Sequence, residues 1–257
     1  MAQYQTENRL MAELNRLSHL KGEPLEEQAA GLLNWDYIYR TACKLGAAPL
    51  LYHHFKSLTP EVQAKIPVMG ALRNQYHLVS ASNLYLLNEY DRIAEKLWAA
   101  GIPCIGLKGV ALAHLLYPEP GLRPMSDVDL LVNKTDAHRA QELLRRLGFH
   151  APLPPSGQLP GKHLLAATRP LEGMTVSVEL HHNLFNIGTR ASLELGDLSV
   201  PLVPFALAGV TAYTLPHEEM LWHQCRHLTL IGQPFRLIWL ADIVGLAERF
   251  ATDIDWG

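Results

Sequence analysis

At Gly101 the hydrophobic spacing of this chain changes period, and that change constrains the fold more than any other feature of the sequence. Upstream, apolar residues return every three or four positions: first Leu10, Met11, Leu14, Leu17 and Leu20, then Trp35, Ile38, Ala42 and Leu45, then Leu72, Tyr76, Val79, Leu86, Tyr90, Ile93 and Leu97. Such stripes line one face of an α-helix. Gly22 with Pro24, Gly46 and Gly101 stand where the three helices should stop, and Pro49 to Phe55 suggests a further short helix. Downstream, residues 102–107 form a short apolar run broken by Pro103, and 128–132 a compact valine- and leucine-rich run. Residues 175–181 alternate Val176, Val178 and Leu180 with Ser177, Glu179 and His181. These are strand patterns, the last with one apolar and one polar face. Helices are expected at 110–117 and 135–147, loops at 118–124 and at the proline-rich 151–161, and two helices after Pro216 and from Arg236. The expected class is therefore α+β: a small mixed β-sheet with helices over residues 101–213, flanked by helical sections at 1–100 and 214–257. The second of these reads as cut short just after Trp256.

Charge narrows the partners. Lysine and arginine total 22 against 25 aspartate and glutamate, a formal charge of -3, so no general basic field exists to hold a long nucleic acid. Cys43, Cys104 and Cys225 are odd in number and scattered, which argues against a disulfide framework and against a cysteine zinc site. A reducing, cytoplasmic setting is expected. The polar start MAQYQTENRL has no signal-peptide pattern, and no apolar run reaches the ~18 residues of a membrane span.

The chemistry concentrates in Leu107-Lys108-Gly109-Val110 and in Arg123-Pro124-Met125-Ser126-Asp127-Val128-Asp129. Positions i and i+2 of a strand share a face, roughly 6.5 to 7 Å apart, so Asp127 and Asp129 are expected on one strand, converging on one cation. Two carboxylates ~4 Å apart repel by ~4 kcal/mol at an effective dielectric of 20, and a hard divalent ion between them relieves this. Mg2+, with Mn2+ as its substitute, is the oxygen-seeking choice and shares its coordination with phosphates. Lys108 and Gly109 precede an expected helix, whose free amides favour an anion. Lys108 would add a point charge, and the Arg123 guanidinium would fork onto a phosphate oxygen.

These residues resemble the signature of the DNA polymerase β-like nucleotidyltransferase superfamily: a glycine-containing turn, a short helix, then Asp-hydrophobic-Asp on a strand. More narrowly, LKGVALAHLLYPEPGLRPMSDVDLLV is similar to the uncharacterised nucleotidyltransferase family. The resemblance covers about residues 101–182. It implies that Asp127 and Asp129 bind Mg2+ and that Glu179, in Ser177-Val178-Glu179-Leu180-His181, is the third acid or a general base. It further implies that Lys108, Gly109, Arg123 and Ser126 hold the nucleotide and its phosphates. The implied reaction moves a nucleoside monophosphate from a nucleoside triphosphate to an acceptor (a small molecule, a peptide or a protein) and releases pyrophosphate. Val110 departs from the superfamily, which carries a small residue, Gly or Ser, after the turn glycine. A nucleotide-binding regulator without turnover is therefore the alternative, and a purely helical interaction module with decorative acids is a third reading.

Plainer readings stand beside these. Glu219, His223 and His227 recur every four residues with zinc-like spacing, but no HExxH or cysteine pattern accompanies them. His181 shares the strand face of Glu179 yet reads as a structural histidine. Tyr76, Tyr85 and Tyr90 read as helix packing rather than base stacking. Asp242 in FRLIWLADIVGL reads as a helix brace.

Overall fold

The computed structural model describes residues 4–14, 33–155, 158–159, 161–171, 173–185, 192–198, 200–207, 210–229 and 235–256. The expected end of the first helix, with Leu17, Leu20, Gly22 and Pro24, lies outside the described residues, as does part of the 151–161 loop. The chain forms two compact units, one of residues 1–83, 116–124 and 221–257, the other of 84–115 and 125–220.

The first unit is helical. Helix α1 is Gln5–Leu14, α2 is Trp35–Leu45, α3 is Ala48–Phe55 and α4 is Pro60–Gln63. The 31-residue α5, Met69–Ala99, begins here and ends in the second unit. The start of α2 is fixed by Asn34, whose side-chain oxygen accepts the Tyr37 amide at 3.0 Å, satisfying one of the unpaired N–H groups of the first turn. Gly46 ends α2 with φ 77°, the left-handed cap that a glycine adopts without a Cβ penalty. The apolar stripe read from α2 packs with its neighbours: Ile38, Ala42, Leu51, Phe55 and Leu72 form one buried cluster with Leu10 and Met11.

A 3-10 turn at Pro120–Leu122 is tied to α5 by Asn83, whose amide donates to the carbonyls of Pro120 and Arg123 at 2.8 Å each. Gly121 is required there, since a Cβ would stand 2.1 Å from the Ser80 hydroxyl oxygen.

The second unit carries the sheet. Strands β1 (Cys104–Gly106), β2 (Val128–Val132), β3 (Ala167–Leu171) and β4 (Met174–His181) lie in the order β1-β2-β4-β3. β1 and β2 are antiparallel, β2 and β4 parallel, and β3 and β4 antiparallel, so the sheet is mixed. A parallel pair needs a crossover, and here helix α7 (Ala137–Arg146) lies within it. Helix α6 (Gly109–Leu115) follows β1. A hairpin of β5 (Val203–Leu207) and β6 (Val210–Thr214) packs against β1 and α6. The core joins Val128, Leu130 and Val132 of β2 to Val176, Val178 and Leu180 of β4, with Leu86, Tyr90, Ile93 and Leu97 of α5 and Ala140 and Leu144 of α7. Helix α8 (His217–Leu228) begins in this unit, and α9 (Leu237–Arg249) belongs to the first. No helix among the described residues is long and apolar enough to cross a membrane.

The strand at 128–132 has the limits its composition implied. Asp127 does not lie on it: β2 begins at Val128, and Asp127 precedes it in a bend. Ser126 and Asp127 form a bend, and pairing with β4 starts only at Val128, opposite Val178. Strands β3, β5 and β6 are additions that hydrophobic spacing does not reveal.

Candidate active site

Register assembles the site. In the parallel pair, Asp129 of β2 stands opposite Glu179 of β4, and Leu131 opposite His181. Because side chains alternate, Val128, Leu130, Val178 and Leu180 enter the core while Asp129 and Glu179 leave it on the other face. His181 follows Glu179 by two residues on that same face. One ligating atom from each of Asp129, Glu179 and His181 lies within 4.8 Å of the others, the one such group of three among the described residues. Glu219, His223 and His227 form no comparable group there.

Lys108 is the pivot. It adopts a positive φ of 44° between β1 and α6, a conformation that a lysine holds only when its surroundings enforce it. Its neighbours do so: the Leu107 amide donates to the Asp129 carbonyl at 3.0 Å, and the Leu112 amide to the Lys108 carbonyl at 2.8 Å. The ammonium donates to Asp129 Oδ1 at 2.6 Å, and His181 Nε2 lies 2.8 Å from the same oxygen. Burial alone would raise the Asp129 carboxyl, but Lys108 and the His181 hydrogen bond hold it well below the ordinary carboxylate range. Burial works the other way on Lys108, yet the charge of Asp129 raises its amine.

Asp127 behaves oppositely. It is pushed up to about 6, first by burial and then by the charge of Asp129, despite Lys108 and a 3.3 Å hydrogen bond from the exposed Ser126 hydroxyl. Glu179 is lowered by its hydrogen bond with His181, whose Nε2 lies 3.5 Å from Oε2, against the opposing effects of burial and Asp129. Three carboxylates thus lie within electrostatic reach of one another, two on the strand face and Asp127 in the bend before it, and their mutual repulsion is only partly offset. That donor set, acid-rich and half-desolvated, suits a divalent cation.

Two further groups complete the surroundings, and sequence reading missed both. The segment before β3 runs beside the end of β4, with a bridge between His163 and His181 and a 3.0 Å bond from the Leu164 amide to the Leu180 carbonyl. Lys162 is held there by its carbonyl, which accepts the amides of His182 and Asn183 at 3.0 and 3.1 Å. Its amine is lowered by burial and by Lys108, and raised by Asp129 and Glu179, so it lies within electrostatic reach of the acids. His163 Nε2 lies 3.9 Å from Glu179 Oε2. The available signal for His181 was its two-residue offset from Glu179. Lys162 and His163 follow an irregular loop and carried none.

Of the residues expected in a nucleotide site, Lys108, Asp127, Asp129, Glu179 and Ser126 are brought together. Gly109 opens α6 and is buried beside Lys108. Val110 is fully buried in the core. Arg123 departs from the expectation. Within the first unit it donates from Nε to Asp242 Oδ1 at 3.0 Å and from Nη2 to Oδ2 at 2.7 Å, while the Tyr117 hydroxyl donates to Oδ1 at 2.7 Å. Both charges are buried, and a fork already engaged by a carboxylate is not open to a phosphate. Asp242 is the brace that its helix suggested.

No curated protein is recognisably similar to this chain. Among solved structures, the antibiotic-resistance factor ANT(2'')-Ia aligns at 13% identity over 66% of this chain and 88% of its own, with a TM-score of 0.44. An antigenic nucleotidyltransferase-like protein from Paracoccidioides brasiliensis aligns at 16% identity over 68% of this chain and 76% of its own, with a TM-score of 0.40. Residues 32–257 match the model of the uncharacterised nucleotidyltransferase family, and the chain belongs to that family.

Proposed function

We propose that this protein transfers a nucleoside monophosphate from a nucleoside triphosphate to an acceptor, a small molecule, a peptide or a protein, releasing pyrophosphate. The observation that carries the reading is the pairing of Asp129 with Glu179 across parallel strands, with Lys108 and His181 on the same carboxylate. Asp127, Asp129 and Glu179 would hold Mg2+ or Mn2+. Bound there, the cation would lower the charge on the phosphates and on the attacking oxygen. In the transfer, the acceptor oxygen bonds to the α-phosphorus as the bond to the bridging oxygen breaks, and pyrophosphate leaves with the electron pair. Glu179, 25% exposed against 2% for Asp129, completes this metal site or instead takes the acceptor proton as general base.

Lys108 and Lys162 supply positive charge for the triphosphate, with Gly109 and Ser126 beside it. Lys108 also holds Asp129 in a single orientation before substrate arrives. Arg123, occupied by Asp242, has no part in this scheme.

The test is pyrophosphate release from purified protein given Mg2+ or Mn2+, each nucleoside triphosphate and a panel of hydroxyl- and phosphate-bearing acceptors. Metal-dependent release that disappears in Asp129→Asn supports the reading. Tight, metal-dependent nucleotide binding with no release for any acceptor favours the regulator, and no metal-dependent nucleotide stabilisation at all leaves only the interaction module.

A further inference from the structure

The acids do not face one another alone: two imidazoles flank Glu179. His163 Nδ1 lies 2.8 Å from the Leu164 carbonyl oxygen, an acceptor, so this nitrogen carries the proton and donates it. In the neutral ring that leaves a lone pair on Nε2, and Nε2 is the atom 3.9 Å from Glu179 Oε2. Two lone pairs then confront each other with no proton between them, an arrangement that a cation resolves. A ring whose far N–H is pinned to a backbone carbonyl is also how proteins orient a metal-ligating histidine.

His181 extends the pattern from the other side. Its ring is fully buried, its centroid is 5.0 Å from that of His163, and its Nε2 lies 3.5 Å from Glu179 Oε2 and 2.8 Å from Asp129 Oδ1. Its Nδ1 is buried without a hydrogen-bond partner among the described residues. In the metal-free site Nε2 therefore carries the proton and donates it to the Asp129 carboxylate, and a cation that takes Nε2 displaces that proton to Nδ1, which no other group among the described residues occupies. Neighbouring ligand atoms around a divalent ion with bonds of about 2.0–2.2 Å stand about 3.0–3.5 Å apart. The 3.5 Å pair already meets that spacing, and the 3.9 Å pair needs a shift of a few tenths of an ångström. Asp129 Oδ1 remains with Lys108, so the position lies on the Glu179 side of the cluster.

We propose that Glu179 Oε2, His181 Nε2 and His163 Nε2 form a mixed nitrogen–oxygen position for a divalent cation of the kind that accepts imidazole, such as Mn2+ or Zn2+. This rests on the metal-binding reading above and adds to it: one cation position of this site is not all-oxygen, and it favours Mn2+ over Mg2+.

The test uses the full chain loaded with Mn2+ in a nitrogen-free buffer. Electron spin echo spectroscopy detects an imidazole nitrogen bonded directly to Mn2+ as a modulation of the echo. The expected result is a 14N modulation that is lost or halved in His163→Gln and in His181→Gln, with Mn2+ affinity weakened about tenfold or more in each. His163 is the half-buried partner, so His163→Gln carries the test should His181→Gln fail to fold, and circular dichroism identifies that case. Mn2+ binding without 14N modulation, or a modulation unchanged in both variants, overturns this proposal and leaves the carboxylate site standing. Absence of any Mn2+ binding overturns it together with the metal-dependent function.

Discussion

Asp127→Asn should make the metal-free protein more stable at neutral and alkaline pH while removing activity. In the folded chain the Asp127 carboxyl is raised from its ordinary 3.8 to about 6 by burial and by Asp129. A raised acid binds its proton more tightly folded than unfolded. Stability from this group is therefore greatest below about pH 4 and is lost as pH rises through about 6. A displacement of roughly two decades of pH corresponds to about 3 kcal/mol, fully expressed by pH 8. Asparagine keeps the shape, can still accept the Ser126 hydroxyl, and carries no charge. The variant should therefore gain about 1–3 kcal/mol over wild type at pH 8 in EDTA and nothing at pH 4.

Urea denaturation at both pH values reads this directly. With a slope of about 2–3 kcal/mol per molar, the pH 8 midpoint should move up by roughly 0.5–1 M. Saturating Mn2+ should reverse the order, since a cation at about 1,000 times its dissociation constant stabilises wild type by about 4.1 kcal/mol. Equal midpoints at pH 8, or the same gain at pH 4, would refute the claim that Asp127 is held ionised at a cost.

Three other outcomes follow. Asp129→Asn and Glu179→Gln should each lower nucleotidyl transfer at least about a hundredfold, measured as pyrophosphate release, because each removes a charge from the paired register position. Arg123→Ala leaves the Asp242 carboxylate buried without its guanidinium and should cost about 3–5 kcal/mol in denaturant unfolding. A phosphate-binding role for Arg123 would instead predict a change in nucleotide affinity at unchanged stability. Asn34→Ala removes the side-chain cap of α2 and should cost about 1 kcal/mol, with no effect on nucleotide binding.

What was legible in the sequence followed from strong, local signals. The stripe and caps of α2, the β2 run and the alternation of β4 are each carried by contiguous residues whose spacing reports one buried face. The acids Asp129 and Glu179 were legible through a motif that needs a fixed order along the chain. Strand β3 was not: Ala167–Leu171 contains an arginine and a proline, and it tolerates both as an edge strand with a half-exposed pattern. Its Arg169 pairs with Glu89 at 2.6 Å, a partner from α5 that no local window contains. Arg123 failed for the same reason, since its counter-charge is 119 positions away. His181 was visible on the face of Glu179, but spacing alone does not say that Asp129 will lie beside it.

The parallel pairing of β2 with β4 has a consequence for how the protein comes into being. Asp129 and Glu179 are 50 residues apart along the chain, and α7 and β3 must be laid down before the second can dock beside the first. Ladders of such long reach close late, after nearby hairpins and helices have formed. A nascent polypeptide halted before residue 179 thus has Asp127, Asp129 and the two lysines but lacks Glu179 and the paired strand that presents it, so supplying metal cannot hasten its folding. Ligand stabilises only a chain that has already completed the crossover, so half-made molecules gain nothing from it.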